Sequence, residues 1–157
     1  MDGIEAGLLP VTGVLRAGGL ARPVRGVKVY SRQSLGSCAP TYGRAELDFE
    51  PVPAGTASSC VFACTARPEP DAELEEALVQ GVLGVLRESA REGAGGPEAD
   101  RGGTVGVQVI VRAMSWHPVD SCEVVFLRLG ALAVREAFRC VAEDREPQEV
   151  VTRVSLL

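Results

Sequence analysis

Val105, Val107, Val109 and Val111 place a β-branched side chain at every second position. A strand of that kind has one wholly apolar face, and another layer of structure must cover it. Two segments have the pattern to do so. After Asp71, the residues Leu74, Leu78, Val82, Val85 and Leu86 recur at three- and four-residue spacing, the buried stripe of an amphipathic helix. Asp71 stands where an N-cap belongs, Glu73, Glu75 and Glu76 fill the first turn, and Arg87 and Arg91 suit the last one, so both ends match the helix dipole. Gly81 and Gly84 weaken this helix locally. A second helix carries Val125, Leu129, Leu132 and Ala133 inward, with Phe138 near its end.

The other strands are read from the same period of two. Val11–Arg16 and Val24–Tyr30 flank a Gly-Gly turn region and are expected to pair with each other. Ala45–Glu50 puts Ala45, Leu47 and Phe49 on one face and Glu46, Asp48 and Glu50 on the other, which predicts an acidic solvent face. Ser59–Ala66 and Val150–Leu156 complete the strand candidates, and 93–103, with Pro97, reads as a flexible loop. The expectation is an α+β chain: a two-layer α/β sandwich in one domain over 1–157, with a mixed sheet, two helices on one face, and an N-terminal strand region at 1–23.

Composition narrows the function classes. Apolar residues at 46% and charged ones at 24% are ordinary globular values, while 4% aromatics leave a core of Val, Leu and Ala. No stretch approaches the roughly 20 apolar residues of a membrane span, and Asp2 and Glu5 stand where a secretory leader would be basic. A cytoplasmic protein with no membrane association is expected. Cys38, Cys60, Cys64, Cys122 and Cys140 are odd in number and scattered. They read as reduced, small apolar side chains, and with one histidine they form no cluster for zinc. No Gly-x-x-x-x-Gly-Lys-Ser/Thr run is present, so neither nucleotide binding nor GTP hydrolysis is expected.

Net charge is −5, against bulk attraction to nucleic acid, yet residues 1–45 carry a balance of +4 and residues 46–157 one of −9. From Arg22 to Arg44, through Arg25, Lys28 and Arg32, there is no acid at all. Such a stripe fits RNA phosphates. It fits equally a strand edge kept soluble by arginine.

The single histidine lies in Ser115-Trp116-His117-Pro118-Val119-Asp120-Ser121-Cys122-Glu123, between the valine strand and the second helix. Asp120 as N-cap, Glu123 at the third helical position and Val119 facing Val124 make a capping box with a hydrophobic staple. That leaves Trp116 and His117 exposed for another purpose. Imidazole, carboxylate and the hydroxyl of Ser115 or Ser121 are the parts of a nucleophilic triad, but they crowd into a few consecutive residues and no Gly-x-Ser-x-Gly elbow presents a serine. No catalytic residue, cofactor or metal site is assigned.

This run resembles the Ser-Tyr-His-Glu-Val-Asp-Ser-Ser-Glu segment in the fourth domain of bacterial elongation factor G. Arg32-Gln33-Ser34 with Tyr42-Gly43 resembles the Arg-Gln-Thr-Gly-Gly-Arg-Gly-Gln-Tyr-Gly of that family, and Glu50-Pro51-Val52-Pro53-Ala54-Gly55 its Glu-Pro-Leu-Pro-Arg-Gly. Ala131 to Ala137 and Glu146-Pro147 to Val154 resemble the later helix and exit strand, so the likeness runs in order from about Val24 onward. The departures are specific. The loop from Ser34 to Thr41 is longer and lacks the family's arginine, Trp116 replaces a tyrosine, and Pro118 replaces an acid.

The resemblance, which extends to the tetracycline ribosomal protection proteins, implies a fold with a left-handed β-α-β crossover, like the second domain of a small-subunit ribosomal protein. It also implies a noncatalytic module that contacts the ribosome or another structured RNA, without its own GTPase. Ser115, Trp116, His117, Tyr42 and Gly43 would form the RNA-contact tip, with Gly43 allowing close backbone approach and Trp116 offering a stacking face. Arg22, Arg25, Lys28, Arg32 and Arg44 would take phosphates. Two other uses stay open: a protein-interaction or structural module that kept the fold but lost its RNA, and one piece of a divided factor whose GTPase is a separate protein partner.

Overall fold

The fold is described from a computed structural model, which covers residues 15–16, 19–20, 22–32, 42–52, 59–63, 71–94, 107–117 and 121–152. Along the chain the elements are β1 (Leu15–Arg16), β2 (Gly19–Leu20), β3 (Val24–Ser31), β4 (Gly43–Pro51), β5 (Ser59–Phe62), α1 (Ala72–Ala94), β6 (Val107–Ser115), α2 (Glu123–Ala142) and β7 (Val150–Thr152). Five strands form one mixed sheet in the order β5-β6-β4-β3-β7, with the central β4 antiparallel to β3 and to β6 and the two edge strands parallel to their neighbours. Parallel neighbours require a crossover, and α1 supplies the one between β5 and β6.

The core lies between one sheet face and both helices. Val107, Val109 and Val111 are fully buried, as are Val27, Val29, Leu47 and Phe49 from the adjacent strands. The helices meet them with Leu78, Val82, Leu86, Val125, Phe126 and Leu129, all at 0% exposure. Fully burying one such side chain contributes roughly 1.5–3 kcal/mol, so the period-two and period-3.6 patterns carry most of the stabilisation. This is the expected α+β two-layer sandwich. Asp71 caps α1 as its sequence context requires: Leu74 N–H donates to Asp71 Oδ1 at 3.1 Å. Among the described residues no helix is long and apolar enough to cross a membrane.

Four local expectations are corrected. The described end of the first strand candidate pairs with Gly19–Leu20, while β3 pairs with β4 and β7; a two-residue connection makes a hairpin possible at once, so the first strand turns back on itself. Helix α1 continues through Gly93 to Ala94, into the stretch read as a loop. Gly81 is a packing residue as well as a weak helix former. A methyl group there would overlap the Leu127 carbonyl, and one at Gly130 the Leu78 carbonyl, so this pair of glycines sets how closely the helices cross. Finally, Asp48 is 7% exposed and its face is not simply acidic. Residues 95–106, with Val105 among them, and residues 153–157 lie outside the described residues.

Candidate nucleic-acid interface

Antiparallel pairing decides which residues share an end of the sheet. Ser31 lies opposite Gly43 and Arg44 opposite Ser115, so the exit of β3, the start of β4 and the exit of β6 converge there with Arg32, Tyr42, Trp116 and His117. Ser121 locks these loops together. Its hydroxyl donates to the Tyr42 carbonyl at 2.8 Å and accepts from His117 N–H at 2.9 Å, and its own N–H donates to the His117 carbonyl at 3.1 Å. The backbone of the exposed His117 is thereby tied to Ser121 and, through it, to the start of β4.

The open sheet face next to this end holds an aromatic and cationic cluster. The Arg44 guanidinium lies 4.7 Å from the centroid of the Tyr30 ring, within cation–π range. Tyr42 meets Tyr30 edge to face, centroids 5.9 Å apart and planes at 77°. A groove of about 290 Å³ runs alongside, lined by Lys28, Tyr30, Arg44, Glu46, Ser115 and Glu149 among others.

The proposed phosphate ligands separate into two groups. Arg22 is occupied: its Nη2 donates to the carbonyls of Cys140 at 2.8 Å and Arg145 at 3.1 Å, satisfying the end of α2 that its macrodipole makes negative. Arg25 is occupied too, paired with both oxygens of Glu50 at 2.6 and 3.1 Å. Lys28, Arg32 and Arg44 are exposed. The acid-free stripe of the sequence is not an acid-free surface, because β4 lays Glu46 directly opposite Lys28 and brings Asp48 and Glu50 beside it. Asp48 in turn accepts from Arg112 Nε at 2.8 Å and from Gly26 N–H at 2.8 Å.

Two tip assignments and the cap assignment change with the geometry. Gly43 is buried, and a Cβ there would come within 2.8 Å of Val125 Cγ1 and 2.9 Å of Leu129 Cδ1, so its missing side chain makes room for α2 and not for a ligand. Trp116 is half-buried and packed on the core. Helix α2 starts at Glu123, with extended Cys122 in the cap position and no side-chain cap bond. Glu123 is therefore the first helical residue and not the third of a capping box; Asp120 and Val119 lie outside the described residues. The side chain that closes this corner is Ser121, one residue after the aspartate read as the helix cap.

Two contributors were not singled out from sequence. Tyr30 reads only as a polar position in an alternating strand, and its meeting with Arg44 depends on register across β3 and β4. Glu136 had a signal: it sits on the apolar stripe, three residues after Ala133 and four before Cys140. At 5% exposure it accepts from Arg145 Nη1 at 2.7 Å, Arg145 Nη2 at 3.1 Å and Gln148 N–H at 3.0 Å. Burial alone would raise this carboxyl, but those donors outweigh it and hold it below the usual carboxylate range. The network fastens the turn after α2, where Asp144 takes φ +50°, to the helix that precedes it.

On its helix side His117 faces a different surface, a cleft lined by Asp71, Glu73, Ser121 and Glu123. Phosphates are disfavoured there, so an RNA would have to approach from the open sheet. Among the described residues no group of three or more potential ligands could hold a metal ion.

No family model and no curated protein matches the sequence. Among solved structures, the chain is similar to the Thermus thermophilus protein ttk003000868, at 22% identity and a TM-score of 0.47. The match takes in 78% of this chain but only 17% of that protein's length.

Proposed function

We propose that this chain is a noncatalytic RNA-binding module that contacts the ribosome, or another structured RNA, with the end of the sheet where Tyr30, Tyr42, Arg44, Ser115 and His117 gather. The observation that carries this reading is the Arg44–Tyr30–Tyr42 cluster, of which Arg44 and Tyr30 line one groove with Ser115, beside a histidine whose N–H is held by Ser121. Single-stranded bases in loops and bulges are bound by stacking on aromatic rings and guanidinium planes, with hydrogen bonds to their exposed edges. A neutral imidazole can both donate and accept there. Stacking contributes roughly 1–3 kcal/mol per base, which lets an acidic protein bind RNA with few phosphate contacts.

Lys28, Arg32 and Arg44 are the phosphate ligands in this arrangement, and Arg22 and Arg25 are structural. The wording of residues 115–123 supports the ribosomal small subunit as the target, and a separate GTPase polypeptide would supply any nucleotide-driven step. The test is an NMR titration with an RNA hairpin carrying the decoding-site internal loop. Shifts confined to Tyr30, Tyr42, Arg44, Ser115 and His117 are expected. Shifts absent at low salt, or spread over the helices instead, would overturn the assignment.

A further inference from the structure

The opposite layer of the molecule carries a second surface with a different chemistry. Val124 and Leu127 of α2 are 51% and 46% exposed, two of the three large apolar side chains so exposed among the described residues. They do not stand alone. With Ala72 and Ala77 of α1 they floor a groove of about 530 Å³ between the first half of α1 and the first turns of α2, with Glu73, Glu76 and Glu123 on its rim and Gln80 at one end. The groove adjoins the acidic cleft below His117, because Glu73, Glu123 and Val124 line both, and that cleft adds Asp71. Lysine and arginine line neither.

Acids in a first helical turn are expected from the helix dipole alone. The dipole does not account for a valine and a leucine left in water between them. An apolar floor walled by carboxylates is complementary to one kind of occupant: a helix with an apolar stripe flanked by lysine and arginine. A second copy of this chain is a poor fit, since its own exposed helix faces here are acidic and would meet like charge. We infer that the groove between α1 and α2 is a docking site for a basic amphipathic helix of a partner protein, on the helix layer and not on the open sheet face that carries Tyr30 and Arg44. The chain would then bridge an RNA and a protein with its two layers, and failure of the RNA assignment would leave this one standing.

The test uses a Leu/Lys amphipathic helical peptide of about four turns and a scrambled peptide of the same composition, titrated calorimetrically into the intact chain. The amphipathic peptide is expected to bind more tightly than the scrambled one. Val124→Ser with Leu127→Ser should weaken it at least about tenfold, the loss expected when the burial of two side chains is removed. Glu73→Gln with Glu76→Gln should weaken it and flatten its salt dependence, and this pair decides the matter if the apolar variant is unstable. Equal binding of both peptides, or indifference to both pairs of substitutions, would overturn the inference. So would concentration-dependent dimerisation of the chain that the Leu127 change abolishes, which would identify a second copy as the occupant.

Discussion

The Ser121 hydroxyl donates to the carbonyl of Tyr42, 79 residues earlier in the chain, at 2.8 Å, and so joins the start of β4 to the loop that presents the single histidine. Because the same oxygen accepts from His117 N–H, one hydroxyl sets the position of both loops. Ser121→Ala would remove both bonds. The expected cost is about 1–2 kcal/mol, the usual net value of one or two hydrogen bonds. Denaturant unfolding measures that cost, and increased amide exchange at His117 and Ser121, with β6 still protected, would show that the loosening is local.

Gly26 offers a test of the bulge that shapes the open face. Its φ of +75° is a conformation that side chains resist, and the register of β3 against β4 shifts between Val24 and Val27. Nothing lies within 4 Å of where a Cβ would be, so Gly26→Ala should cost roughly 1–2 kcal/mol from backbone strain alone. Melting of the variant checks the value. An unchanged melting temperature would mean that the bulge is relaxed.

Glu136 makes stability depend on pH in a defined direction. Its carboxyl in the folded protein lies below the value of about 4.3 expected in the unfolded chain. The stabilisation it contributes is therefore fully present above the unfolded value and is lost as pH falls through the folded one. The urea midpoint should fall between pH 5 and acid conditions, and less steeply in Glu136→Gln. At neutral pH, Arg145→Met should cost about 3 kcal/mol, because it strands a carboxylate whose side chain is only 6% exposed.

Cys60 and Cys140 should be chemically quiet. Burial, reinforced by the neighbouring Glu136 carboxylate, pushes the Cys140 thiol up to about 12, and burial pushes that of Cys60 up to about 11. Since the thiolate is the nucleophile, iodoacetamide at pH 8 should leave both unmodified in the native protein and label them once it is unfolded. Mass mapping of the labelled peptides reads this directly.

The layers were legible in the sequence because they rest on periodicity. Leu74, Leu78, Val82, Val85 and Leu86 are buried as spaced, and so are Val107, Val109 and Val111. The surface was less legible, since charge along a strand says nothing of the strand beside it. Arg25 and Lys28 look unopposed until β4 supplies Glu50 and Glu46. Arg22 reads as a surface cation, and its role at the end of α2 depends on contacts 118 and 123 residues away. Asp120 offered a conventional cap, yet the helix opens at Cys122 and the corner is closed by Ser121, whose partner Tyr42 no local pattern could identify.

The most direct measurement is co-sedimentation of the chain with ribosomal small subunits across a salt series, beside His117→Ala and Arg44→Ala. All three proteins should remain folded under the assay conditions, since both side chains are exposed and the contact of Arg44 with Tyr30 contributes only about 0.5–1 kcal/mol. The wild type should pellet with the subunits at low salt and release as salt rises, while either variant should bind markedly less. Full binding by both variants, or no binding by a folded wild type at low salt, would contradict an RNA surface built on this end of the sheet.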